Sequence, residues 1–138
     1  MPIRPENAAR YPKDWKVISL RIRNERANNR CECTGECGVD HAAETKEHDL
    51  MPWPSDWPEA HLDPLRCWAI GGIEHPITDS KVILTVAHLP GREIEQCTDD
   101  DLKAMCQRCH NRMDAPMRRA GIKSRLRASA AIADLFKP

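Results

Sequence analysis

Three thiols fall close together in Cys31-Glu32-Cys33-Thr34-Gly35-Glu36-Cys37, and two more lie three positions apart in Cys106-Gln107-Arg108-Cys109-His110. Cysteines at two-to-four-residue spacing, with glycines available for tight turns, form half of a zinc site. Tetrahedral Zn²⁺ draws two thiolates from one such loop and needs a second pair from elsewhere. Cys33 and Cys37 supply one pair and Cys106 and Cys109 the other, which predicts a structural site of four thiolates. Cys31 and Cys67 are further candidates, able to displace Cys33 or Cys37. Cys97 stands apart from these pairs and reads as a packed thiol. His41, just beyond Cys37, is a candidate extra ligand. His48 and His61 read as surface residues, and His75, which precedes a proline, as structural.

These residues need elements to hold them. Val82-Ile83-Leu84-Thr85-Val86 is an unbroken β-branched and apolar run, the composition of a buried strand, and it places His88 at the strand exit. Asp79-Ser80 is a turn that would let Ile73 to Thr78 pair with Val82 to Val86. Thr98-Asp99-Asp100-Asp101 puts a capping hydroxyl before three carboxylates, so a helix is expected from there through Leu102 and Met105. On such a helix Cys106 and Cys109 share a face, with His110 turned about 100° further round. Ala115-Pro116 should stop it, and Ile122 to Phe136 then forms a second, basic helix. At the other end, Pro12 suits a first helical position. Trp15, Ile18 and Ile22 follow at helical spacing, with Arg21, Arg23 and Arg26 off the stripe, until Asn28-Asn29. Residues 39–66, with Pro52, Pro54, Pro58 and Pro64 around Trp53 and Trp57, read as an insertion loop without a sustained period.

A chain of 138 residues with one Phe, one Tyr, four Trp and eleven Pro builds one domain with a modest core, for which a staple beyond hydrophobic burial is expected. Seven cysteines, an N-terminus without an apolar signal core, and no long apolar run predict a cytoplasmic protein whose clustered thiols bind metal rather than form disulfides. The zero net charge hides an asymmetry. Residues 1–30 carry +5, residues 31–107 carry −11 and residues 108–138 carry +6. Basic ends are one means of holding a phosphate backbone.

The string from Val82 to Asp114 resembles the HNH endonuclease family, particularly its small phage- and prophage-type members. Ala87-His88-Leu89 matches at a strand end, Asp101-Leu102 at a helix start, and Met105-Cys106-Gln107-Arg108-Cys109-His110-Asn111 on the helix. Tyr11-Pro12, Asp14-Trp15 and Arg30-Cys31-Glu32 look like those relatives as well. The resemblance implies an α+β domain with a small ββα-metal (HNH, or His-Me finger) core, a four-cysteine zinc site and flanking N- and C-terminal helices. The expected division is residues 1–30, 31–114 and 115–138. It implies hydrolysis of DNA phosphodiester bonds with Mg²⁺ or Mn²⁺, with His88 as general base, His110 as metal ligand and Asp101 in the place of the family's loop-holding Asn. Arg108, Arg112, Arg118 and Arg119 would contact phosphates.

Two positions depart from that pattern. Ala87 stands where the family carries a metal-ligating Asp or His, leaving Asp99, Asp100 or Asp101 to substitute, and Pro90-Gly91 replaces an Asp-His. The alternative expectation is accordingly a catalytically weakened zinc module on the same scaffold that binds DNA or a protein partner. Cys106 to His110 also satisfies the attachment motif of c-type haem, but that reading needs export and leaves Cys31 to Cys37 unexplained.

Overall fold

The computed structural model describes residues 3–48 and 65–137. After a 3-10 turn at Pro5–Arg10 comes helix α1, Trp15–Leu20, which widens into a π turn at Arg21–Arg26. Asn28 and Asn29 end it, both with positive φ, a conformation that asparagine tolerates better than most residues. The amphipathic stripe behaves as its spacing predicts: Ile22 is buried, and Trp15 and Ile18 pack against its cluster. Helix α2, His41–Glu47, is capped by Asp40, whose carboxylate accepts from the Ala43 N–H at 3.0 Å. A helix therefore occupies the front of the stretch expected to be an irregular insertion. The rest of that stretch, residues 49–64 with Trp53, Trp57 and His61, lies outside the described residues.

Strands β1, Leu84–His88, and β2, Leu102–Cys106, form one antiparallel ladder with Leu84 opposite Cys106 and His88 opposite Leu102. Helix α3, Gln107–Leu135, follows β2 directly. The ladder lies between two apolar clusters. Leu84, Ala87, Met105 and Cys106 enter the first, with the other buried thiols, while Leu102 and Ala104 enter the second with Ile22 and Ala27.

Three expectations are corrected. Thr98 caps only a 3-10 turn, Asp99–Asp101, and the chain then extends into β2 instead of continuing as a helix. Local pattern cannot distinguish a short apolar strand from a buried helical turn, and here pairing with β1 decides. The turn at Asp79-Ser80 exists, with Asp79 at φ 56°, and it closes a short hairpin in which the Val82 N–H donates to Ile73 O and the His75 N–H to Ser80 O, both at 2.8 Å, but the pairing does not extend along β1, whose long partner is β2. Finally, Pro116 lies inside α3, which runs on through the Ala115-Pro116 pair expected to stop it. Among the described residues, no helix is long and apolar enough to cross a membrane.

Candidate metal centre

Residues 31–33 are clamped from two sides. The Cys31 N–H donates to Ala69 O at 2.8 Å and the Cys67 N–H donates to Cys33 O at 2.9 Å, so the segment around Cys67 is held alongside the first thiols. Glu32 faces the other way. Its N–H donates to Ala104 O at 2.7 Å and its carboxylate accepts from the Ala104 N–H at 2.8 Å, fastening the loop to the edge of β2. Beneath this clamp Arg30 is fully buried, stacked 3.9 Å from the Trp68 ring centroid and donating to Cys67 O at 2.9 Å. Cys106 lies at the N-cap of α3 and Cys109 in its first turn, where free N–H groups favour thiolate charge.

The clamp gathers six cysteines and one histidine into two groups, each close enough to hold a metal ion: Cys31, Cys67, Cys106 and Cys109, and Cys33, Cys37, His41 and Cys109. All of these residues are buried. The Cys67 and Cys106 sulfurs are 4.0 Å apart, and His41 Nε2 stands 3.5 Å from Cys37 Sγ and 3.7 Å from Cys109 Sγ. The expected quartet of Cys33, Cys37, Cys106 and Cys109 is divided between the groups. Cys31 and Cys67, the alternative candidates, are in the first, and His41 is in the second. Cys97 packs beside the second apolar cluster and donates to Glu93 O, apart from the thiols.

Electrostatics carry the mark of this crowding. Neighbouring sulfurs hold the Cys67 thiol far below the ordinary range, and Cys109 and Cys33 do the same for Cys37. The Cys109 thiol is pushed far up by Cys106, Cys31, Cys33 and Cys37. Thiols in contact cannot all ionise unless cations sit among them. For His41, burial acts downward, but Cys33, Cys37 and Glu44 raise it to about 11. Its Nδ1 faces Glu44 Oε2 at 3.1 Å, and Glu44 also takes Arg108. Such a carboxylate fixes the ring so that Nε2 is directed at the sulfurs.

A second constellation gathers at the end of β1. His88, at the end of β1, lines a cavity of about 500 Å³ together with His110, Asp114, Thr85, Arg23 and Tyr11. Thr85 Oγ1 stands 2.7 Å from His110 Nδ1 and donates to Met105 O at 3.4 Å, so the hydroxyl orients the ring. His110 Nε2 then faces Asp114 Oδ2 at 3.3 Å. Burial pushes His110 below the ordinary histidine range, with Arg118 and His88 acting the same way and Asp114 opposing. A neutral Nε2 opposite a carboxylate is a pair of acceptors suited to a cation. The sequence reading passed over Asp114, although His110 and Asp114 stand at i, i+4 on a helix, the spacing that sets two side chains on one face.

Two of the acids expected to compensate for Ala87, Asp99 and Asp101, are engaged elsewhere. Asp99 pairs with Arg21 at 2.8 Å. Asp101 accepts from the Thr98 N–H at 2.9 Å and from Thr98 Oγ1 at 3.0 Å, and its carbonyl takes the Leu89 N–H at 2.7 Å. Asp101 thus fastens the loop behind His88. Arg108 is committed to Glu44, Arg118 donates to Asn111 Oδ1 at 2.9 Å, and Arg112 and Arg119 are exposed on α3. His48 is exposed. His75 is buried, with Nδ1 accepting from the Ile77 N–H at 3.1 Å and Nε2 3.9 Å from Cys67 Sγ, a structural placement beside the first thiol group. Comparison of the chain with protein-family models, with curated proteins and with solved structures gives no match.

Proposed function

We propose that this chain is a zinc-stapled, divalent-metal-dependent endonuclease of the HNH type, acting on DNA phosphodiester bonds. One observation carries the reading: His88, His110 and Asp114 together line one open cavity. The order β1, loop, β2, α3 is that of a ββα-metal core, with a histidine at the first strand's exit and another on the helix. Asp114 supplies the carboxylate that Ala87 cannot.

The donor set of one imidazole nitrogen and one carboxylate oxygen fits a cation that accepts nitrogen more readily, such as Mn²⁺, better than Mg²⁺, which prefers oxygen ligands alone. When bound, such an ion would neutralise charge on the phosphate and the leaving oxygen. His88 takes the proton from the attacking water. Thr85 orients the His110 ring, and Arg23, which also donates to Leu84 O at 3.4 Å, offers a cation at the cavity wall for a phosphate oxygen.

Supercoiled-plasmid nicking at low salt with Mn²⁺ or Mg²⁺ tests the reading. His88→Ala should slow nicking by about 10²- to 10⁴-fold, the usual range for loss of a general base. Asp114→Ala should raise the Mn²⁺ concentration required, and both variants should retain their zinc. Equal nicking by wild type and His88→Ala would end the proposal.

A second reading is favoured by Ala87, which is 1 % exposed and packs among the cysteines, so that the position before His88 offers the cavity no ligand. On that reading the domain is a non-catalytic zinc module that binds DNA or protein. It predicts a gel shift with duplex DNA, or a protein partner, and no nicking with any divalent metal.

A further inference from the structure

We infer that the two thiol groups form a single binuclear zinc centre in which the Cys109 thiolate bridges both ions. The first ion is completed by Cys31, Cys67 and Cys106, and the second by Cys33, Cys37 and His41. This rests on the zinc staple of the proposed reading and is independent of its nuclease chemistry.

Ligand number is the first argument. Two tetrahedral ions need eight donor positions, and the buried cluster holds six sulfurs and one imidazole, so the set closes only if one donor is shared. The shared donor is identified by position, because Cys109 is the one residue common to both groups. A single ion at the first group would leave Cys33, Cys37 and His41 as buried polar groups gathered around nothing, and a single ion at the second would strand Cys31, Cys67 and Cys106.

Geometry is the second. Zinc–sulfur bonds of about 2.3 Å and zinc–nitrogen bonds of about 2.0 Å at tetrahedral angles place sulfurs about 3.8 Å apart and sulfur and nitrogen about 3.5 Å apart. The separations are 4.0 Å for Cys67 and Cys106, 3.5 Å for Cys37 and His41, and 3.7 Å for Cys109 and His41. Both sides are thus spaced for an ion.

The surroundings are the third. The Cys106 N–H donates to Cys31 Sγ at 3.3 Å and the Cys109 N–H to Cys106 Sγ at 3.4 Å, contacts that support charge on sulfur. His75, whose Nδ1 accepts the Ile77 N–H, carries its proton on Nε2 and directs it at Cys67. On the other side Glu44 orients His41 and is itself held by Arg108. Each half of the cluster therefore has its own outer layer of hydrogen bonds, as a metal site has and a set of packed thiols does not need.

Zinc content and ¹¹³Cd NMR of the full chain decide the matter. Elemental analysis and native mass spectrometry should give two zinc ions per chain. His41→Ala and Cys67→Ser should each retain one, while Cys109→Ser should weaken both ions together. After exchange with ¹¹³Cd, the wild type should show two resonances, one for four sulfurs and one for three sulfurs and a nitrogen. The Cys109 β-protons should couple to both, a readout that does not require the Cys109 variant to fold. One zinc per chain, or coupling of Cys109 to a single cadmium, would overturn the bridge and leave the staple standing. A chain purified without metal that neither zinc nor cadmium alters would overturn both, whatever its nicking activity.

Discussion

Glu44 shows how much a single partly buried side chain settles. It sits in the first turn of α2, receives His41 Nδ1 at 3.1 Å and pairs with Arg108 on α3. Burial works to raise its carboxyl, but Arg108 and His41 hold it below the usual carboxylate range, so it stays ionised at neutral pH. A charged acceptor at Nδ1 makes Nε2 a better metal donor, and removing such a partner typically costs about 10–100-fold in metal affinity. Glu44→Gln should therefore weaken the ion held by Cys33, Cys37 and His41 by about that factor while leaving the Cys31, Cys67 and Cys106 side unchanged. Competition with a chromophoric chelator, followed for the fast and slow zinc ions separately, measures both. Equal weakening of the two ions would show that Glu44 acts on the fold at large.

At the scale of elements, α3 is two things in one helix. Its first two turns belong to the core, with Cys109 and Met113 buried, and beyond Ala115 every described side chain is exposed. Pro116 marks the change. It removes one backbone N–H and crowds the preceding turn, at a cost of up to about 3 kcal/mol in a helix interior. The carbonyl it leaves unpaired is that of Arg112, an exposed residue, so water can satisfy it. The alanine-, arginine- and leucine-rich run that follows favours helix on its own. Pro116→Ala should deepen the helical circular-dichroism signal and slow amide exchange beyond residue 116, without moving the melting transition of the metal-bound core. A shift of that transition by several degrees would mean that the outer helix and the core unfold together.

Across the molecule, a buried thiol cluster able to hold metal takes the place of apolar mass. Half of the buried residues in the first cluster are cysteines, six of the twelve, and the second cluster has only five buried residues. With so little hydrocarbon, the first cluster loses its organising contacts when the ions leave, and thiols packed against one another do not restore them. Excess chelator at neutral pH under reducing conditions should abolish cooperative thermal unfolding and the protection of the β1–β2 ladder in hydrogen exchange, and added zinc should restore both. Persistence of a cooperative melt in the stripped protein would place the stability in the apolar clusters instead.

The sequence by itself determined the chemistry of the chain and several local elements. Short cysteine spacings announced buried thiols close enough to hold metal, the Trp15, Ile18 and Ile22 period announced α1, and the apolar run before His88 announced β1, because each signal lies within a few residues of what it predicts. Tertiary structure alone decided how the ligands are shared out. Cys31 joins one group while Cys33 and Cys37 join the other, a division that follows from the backbone clamp at Ala69 and Ala104, and no spacing rule carries that information. The same holds for β2. Thr98 and its acids signal a helix start, and they cap one turn, but the next five residues extend because β1, already passed in the chain, offers them hydrogen bonds. Local propensity is worth tenths of a kilocalorie per residue, about 0.7 at most for ordinary side chains, and pairing with burial exceeds it. Asp114 belongs to the same class: its i, i+4 relation to His110 was legible, but only the packing of α3 over β1 shows that both turn toward His88.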